Sequence, residues 1–203
     1  ANEFRTLYPN AKLLIASKDD LDKNNRQKFV SKVAMGDWDA VIIAQSSFAK
    51  IPISRDRQIA KINEEIARIE ETVEAVRDTQ GGRSGAVKNL EKIKRNKEAQ
   101  LKKLTDDSKK DNVLIFENLG VDYLFIDEAH YYKNKLIYTK MNNVSGISTA
   151  ASQRASDLEL KCEYINELQG GDKGVVFATG TPISNSMTEM YTMQSYLQHP
   201  TLQ

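Results

Sequence analysis

The chain has 203 residues, enough for one domain with a real core or for one domain plus an excursion. Hydrophobic residues make up 40% and charged residues 28%, a polar tilt that predicts a long solvated segment. The formal net charge is +1, so any nucleic-acid surface must be local, and no apolar run approaches the ~18 residues that span a bilayer. Cys162 is the only cysteine, which excludes an internal disulfide and fits a reducing cytoplasm. The first residues, Ala1-Asn2-Glu3-Phe4-Arg5, lack the basic and apolar regions of a signal peptide. Without an initiator Met, the sequence reads as a segment of something larger.

In chain order, residues 1–8 predict the tail of a helix stopped by Pro9. Lys12 to Ala16 predicts a short buried strand, and Asp22 to Met35 an amphipathic helix with Phe29, Val30 and Val33 inward and Gly36 as its stop. Trp38 to Ala44 predicts a second strand, too continuously apolar for a half-exposed sheet. Strand, helix, strand implies parallel pairing through a crossover.

The pattern breaks at Arg55. Ile59, Ile62, Ile66, Ile69, Val73 and Val76 recur in steps of three and four, the spacing of a coiled-coil seam. Gln80-Gly81-Gly82-Arg83-Ser84-Gly85 interrupts any helix, and a second arm follows from about Ala86 with Val87, Leu90, Ile93, Leu101 and Leu104. Arg55 to Asp78 holds five basic and seven acidic residues, whereas Lys88 to Lys110 holds nine basic and four acidic. Opposite charges favour pairing of the arms, so residues 55–110 predict an antiparallel helical hairpin roughly 35 Å long.

Beyond it the sequence predicts a short helix at Asn112 to Asn118, a strand ending at Ile126 and a Ser/Thr/Asn-rich loop from Lys133 to Ala151. A helix from Ser152 to Leu168, a strand at Val175 to Ala178 and a helix from Asn185 to Leu197 follow. Two strand–loop units carry the chemistry. The apolar run Val121 to Ile126 predicts a buried parallel strand that delivers Asp127-Glu128-Ala129-His130 at its carboxyl end, where ligands sit in open α/β sheets. Neighbours on a strand point to opposite faces, so Asp127 and Glu128 can serve one site only where the strand ends and the chain turns. Thr179-Gly180-Thr181-Pro182 follows the second strand, with a glycine that permits close approach and hydroxyls able to bond an imidazole or a carboxylate. His130, His199 and Cys162 have no companions at metal spacing, so no structural zinc site is expected.

Together these residues resemble superfamily-two helicases, and most closely Swi/Snf-type DNA translocases. Phe125 to His130, then Lys133-Asn134, resembles motif II; Thr179 to Asn185, then Glu189-Met190-Tyr191 and Leu197, resembles motif III and its helix. Trp38 to Ser46 is similar to motif Ib, and Asn2-Glu3-Phe4 to the end of motif Ia. Within that family the sequence is most similar to the helicase part of methylase–helicase proteins of phages and conjugative elements. The resemblance implies a cytoplasmic, bacterial or phage-encoded DNA-dependent ATPase. Its expected fold is an α/β, parallel-sheet RecA-like (P-loop NTPase) lobe over residues 1–54 and 111–203, incomplete, with a hairpin insertion at 55–110. It implies ATP and Mg²⁺, with Asp127 holding the metal through water and Glu128 activating water. His130, Thr179, Gly180 and Thr181 would couple hydrolysis to movement, and Gln45, Ser46 and Lys133 would touch nucleic-acid phosphates. Expected partners are duplex DNA before RNA, no membrane, a second helicase lobe, and a methylase domain in the parent.

Two departures bear on this expectation. No Gly-x-x-x-x-Gly-Lys-Ser/Thr loop occurs in the sequence, so the segment by itself is expected not to hydrolyse ATP. The hairpin is not a family element at its position. The rival expectation is therefore a non-enzymatic nucleic-acid or protein interaction module acting through the hairpin.

Overall fold

A computed structural model describes residues 1–80, 84–106, 115–135, 152–184, 186–198 and 202. The predicted turn at Gly81-Gly82-Arg83, the start of the predicted helix at Asn112, most of the loop 133–151, Asn185 and His199 lie outside the described residues. By compactness the chain forms two units. One comprises Ala1–Ser54 and Asn112–Asp122, the other Arg55–Asp111 and Tyr123–Gln203.

In the first unit, helix α1 (Asn2–Leu7) ends before Pro9, strand β1 is Leu13–Ile15, helix α2 is Arg26–Met35 and strand β2 is Ala40–Ile42. β1 and β2 pair in parallel, Leu13 with Ala40 and Ile15 with Ile42. The ladder is shorter than the apolar run Trp38 to Ala44, because a strand lasts only where a partner accepts its hydrogen bonds. Leu14, Leu21, Phe29, Val30 and Val33 are buried, so the predicted inner face of α2 is the observed one. A short helix, α3 (Gln45–Phe48), begins directly after β2. Its Phe48 ring meets Phe116 edge-on at 5.7 Å. The Phe116 N–H donates to Pro52 O at 2.7 Å, and the Ser54 N–H donates to the Glu117 carboxylate at 3.0 Å. The excursion at Ser54 thus leaves and returns at neighbouring points.

In the second unit, helices α4 (Arg55–Gln80) and α5 (Gly85–Asp106) form the predicted hairpin. Glu65, Glu70 and Arg77 pair with Lys97, Lys94 and Glu91 respectively, a reversed order that makes the arms antiparallel. Ile69, Val73 and Val76 pack on Ala86, Val87 and Leu90 in a closed cluster, with Ile93 at its edge. Burying such aliphatic side chains contributes about 1.5–3 kcal/mol each.

Strand β3 (Leu124–Ile126) pairs in parallel with β4 (Val175–Phe177), Leu124 with Val175 and Ile126 with Phe177. Helix α6 (Gln153–Leu168) packs against β4, and helix α7 (Thr188–Leu197) packs on α6. The expected fully buried strand is instead one-sided: Ile126 is 6% exposed, whereas Phe125 is 74% and Val176 46% exposed. One face of this strand pair rests on α6 and the Tyr196 ring, 5.5 Å from Phe177, and the other is open.

The hairpin belongs to this unit through the root of α4. Lys61 pairs with Glu159 at 2.8 Å and Glu163 at 2.5 Å on α6, and Arg57 pairs with Glu167 at 2.6 Å. Arg57 and Glu167 lie 110 positions apart and Lys61 and Glu163 lie 102 apart, beyond the reach of local sequence spacing.

Candidate functional site: the β3 and β4 strand tips

The acidic pair stands at a reversal of the chain just past β3. The ladder closes there, as the Ala178 N–H donates to Ile126 O at 2.9 Å and the Ala129 N–H to Ala178 O at 3.0 Å. Asp127 Oδ1 then accepts the Glu128 N–H at 3.0 Å. Glu128 adopts φ 51°, ψ 45°, the left-handed region that non-glycine residues seldom occupy and that costs of order 1–3 kcal/mol. This reversal answers the geometric requirement read from the sequence, and both carboxylates are exposed at the tip.

A single helical turn, Ala129–Tyr132, follows and aims His130 back across the sheet. Its Nδ1 lies 3.1 Å from Glu128 Oε2 and 3.2 Å from Thr179 Oγ1. The same Thr179 oxygen accepts the Thr181 N–H at 3.1 Å. Glu128, His130, Thr179 and Thr181 are therefore joined in one line of polar contacts from the β3 tip to the β4 tip. Gly180 stands over open space, with no described atom within 4 Å of a Cβ placed there. The close approach expected at this glycine is not made by the chain's own described atoms.

Lys133 is placed unlike a surface phosphate contact. Its Nζ donates to Ser184 Oγ at 2.7 Å and to Glu189 Oε2 at 3.2 Å, and its side chain is only 8% exposed. Glu189 Oε2 also accepts the Ser184 N–H at 2.5 Å. This is a second tie between the turn after β3 and the loop after β4. Glu189 stood in the motif resemblance without a role, and no local signal marks it as the partner of a lysine 56 positions away.

The shell beneath is polar and buried. Tyr196 Oη donates to Tyr132 O at 3.0 Å, and burial pushes its phenol well above the ordinary range. Lys135 Nζ lies 3.0 Å from Glu159 Oε1 and 2.9 Å from Ser195 Oγ. Burial opposes charge on Glu159, but Lys135 and Lys61 outweigh it and hold the carboxyl below its usual value. Glu163, also desolvated and with less compensation from Lys61, is held above it. Burial drives the Cys162 thiol far upward, which makes it a packing residue rather than a nucleophile or ligand.

Gln45 and Ser46 open α3 in the other unit, Gln45 half-buried and Ser46 exposed. Among the described residues, no group of three or more His, Cys, Asp or Glu side chains could hold a metal ion. No helix among them is long and apolar enough to cross a membrane.

A family model described as a probable helicase domain matches residues 1–203, and the chain belongs to that family. The "Defense against restriction protein B" of Escherichia phage P1 is 33% identical over 86 residues, which cover 40% of this chain. The match spans about 4% of that protein's length. No solved structure matches the chain.

Proposed function

We propose that this helicase-family chain is part of the first, RecA-like ATPase lobe of a Swi/Snf-type, DEAH-box translocase that hydrolyses ATP while moving on duplex DNA in the cytoplasm. The observation that carries the reading is the line of polar contacts Glu128–His130–Thr179–Thr181 between two parallel strand tips. A solvated acidic turn has no need of a strained glutamate tied to the next strand's loop.

Each residue then has a task. Asp127 would hold Mg²⁺ through water. Two exposed carboxylates, with no third acidic, His or Cys side chain grouped with them for a metal among the described residues, suit an ion that keeps most of its waters and takes the rest of its shell from phosphate. When bound, the ion neutralises charge on the triphosphate. Glu128 orients the attacking water and accepts its proton. His130 senses that carboxylate and passes its state to Thr179, Gly180 and Thr181, which would move with the second lobe. Gln45 and Ser46 would contact DNA phosphates, while Lys133, taken up by Ser184 and Glu189, would brace the loop after β4. The phosphate-binding loop and the second lobe would come from parts of the full-length protein outside this chain, together with any methylase domain.

In the full-length protein, Glu128→Gln is expected to lower DNA-stimulated ATP hydrolysis at least 100-fold while leaving DNA affinity in place. Thr179→Val is expected to keep basal hydrolysis but lose its stimulation by DNA. Hydrolysis undiminished in Glu128→Gln would sink the reading.

A further inference from the structure

The two arms of the hairpin turn different charges outward. On α5, Lys94 pairs with Glu70 and Glu98, and Lys97 pairs with Glu65, so both are engaged in the interface with α4. Lys88, Lys92, Arg95, Lys102 and Lys103 are all exposed. At 3.6 residues per turn they fall within about 60° of one line along the helix, opposite the buried Ala86, Val87 and Leu90. Among the described residues no ion pair reaches Lys88, Lys92, Lys102 or Lys103. Ala99 lies on the same line, and Asp106 at its end is the one acid there.

On α4 the outward line carries Glu71, Glu74 and Asp78, all exposed and without an ion pair among the described residues. A merely solubilising surface mixes its signs along each face. Here one edge is basic and the other acidic, which orients the hairpin toward a polyanion. Lys88 to Lys103 spans about 22 Å of helix, against one phosphate charge per ~1.7 Å of duplex axis. Residues 55–106 contain no Phe, Tyr or Trp, so the strip offers charge without the stacking platforms that grip unpaired bases.

We propose that the outer face of α5 is a sequence-independent docking strip for the backbone of duplex DNA, with the acidic edge of α4 keeping the duplex to one side. It rests on the reading of the chain as part of a DNA translocase, but on residues separate from the strand-tip site.

The test is nucleotide-free binding of a duplex of roughly 30 base pairs to the full-length protein across a NaCl series, with Lys88, Lys92, Lys102 and Lys103 all changed to Gln. The expected result is a log–log salt slope shallower by about 3–4 and an affinity at least tenfold weaker at roughly 100 mM NaCl, with helix content unchanged. Changing Glu71 and Glu74 to Gln and Asp78 to Asn should preserve or tighten binding. An unaltered slope and affinity in the lysine variant overturns the proposal. So does an equal loss in the acidic-edge variant. So does loss of self-association with DNA affinity intact, which would make the two edges a contact between copies. If Glu128→Gln abolishes hydrolysis while the slope stays unchanged, only the strip falls; if the slope changes while Glu128→Gln hydrolyses ATP normally, only the ATPase reading falls.

Discussion

The root of the hairpin and the tip of β3 treat charge in opposite ways. At the root, Lys61 is only 11% exposed and lies between Glu159 and Glu163, so each buried charge has a counter-charge. At the tip, Glu128 is 55% exposed, in left-handed backbone, with its acidic neighbour Asp127 beside it. The root is organised for stability, since an unpaired charge there is expensive. The tip holds strain and open carboxylates, which stability alone would remove; such features gather where a ligand is handled.

The sharpest way to break this contrast is at the root. Lys61→Met is expected to destabilise the second unit by about 3–5 kcal/mol, because Glu159 and Glu163 lose a shared counter-charge. Chemical denaturation would show it as a lower midpoint, and a loss under about 1 kcal/mol would mean the network is not the hairpin's anchor. At the tip the sign reverses. Glu128→Gly relieves the left-handed strain and should leave stability equal or higher by about 1 kcal/mol, while the hydrolysis proposed for the full-length protein should be lost. A marked drop in midpoint would show Glu128 to be structural.

The smallest effect concerns pH. Glu159 has a folded-state value held below its usual 4.5, so its contribution is complete above that value and is lost as pH falls through the lowered one. Glu163 is shifted the other way and opposes it, which is why the comparison must isolate Glu159. The stability advantage of wild type over Glu159→Gln should be full near about pH 6 and shrink on acidification below 4.5. An advantage that grows toward acid would mean that Glu159 is not held as a buried anion.

Much of the secondary structure was legible because it follows local periodicity. The stripe from Ile62 to Val76 can bury itself only as a helix seam. The buried Phe29, Val30 and Val33 of α2 were likewise readable from spacing. Short features were not. The turn Ala129–Tyr132 and helix α3 hold too few residues to show a period. The open face at Phe125 and Val176 was also missed, since an apolar strand reads the same whether one or both faces are covered.

By itself the sequence determined which residues carry charge and chemistry, the two arms and their opposite signs, and the acidic pair at a strand end. Those depend on residue type and near-neighbour spacing, which the chain states outright. Only the tertiary structure decided that Lys94 and Lys97 are engaged while Lys88 and Lys92 meet no acid among the described residues, that Lys133 faces Glu189, and that His130 reaches Thr179. Each of these is a pairing over a few ångströms between residues far apart in the chain, chosen by packing rather than by composition.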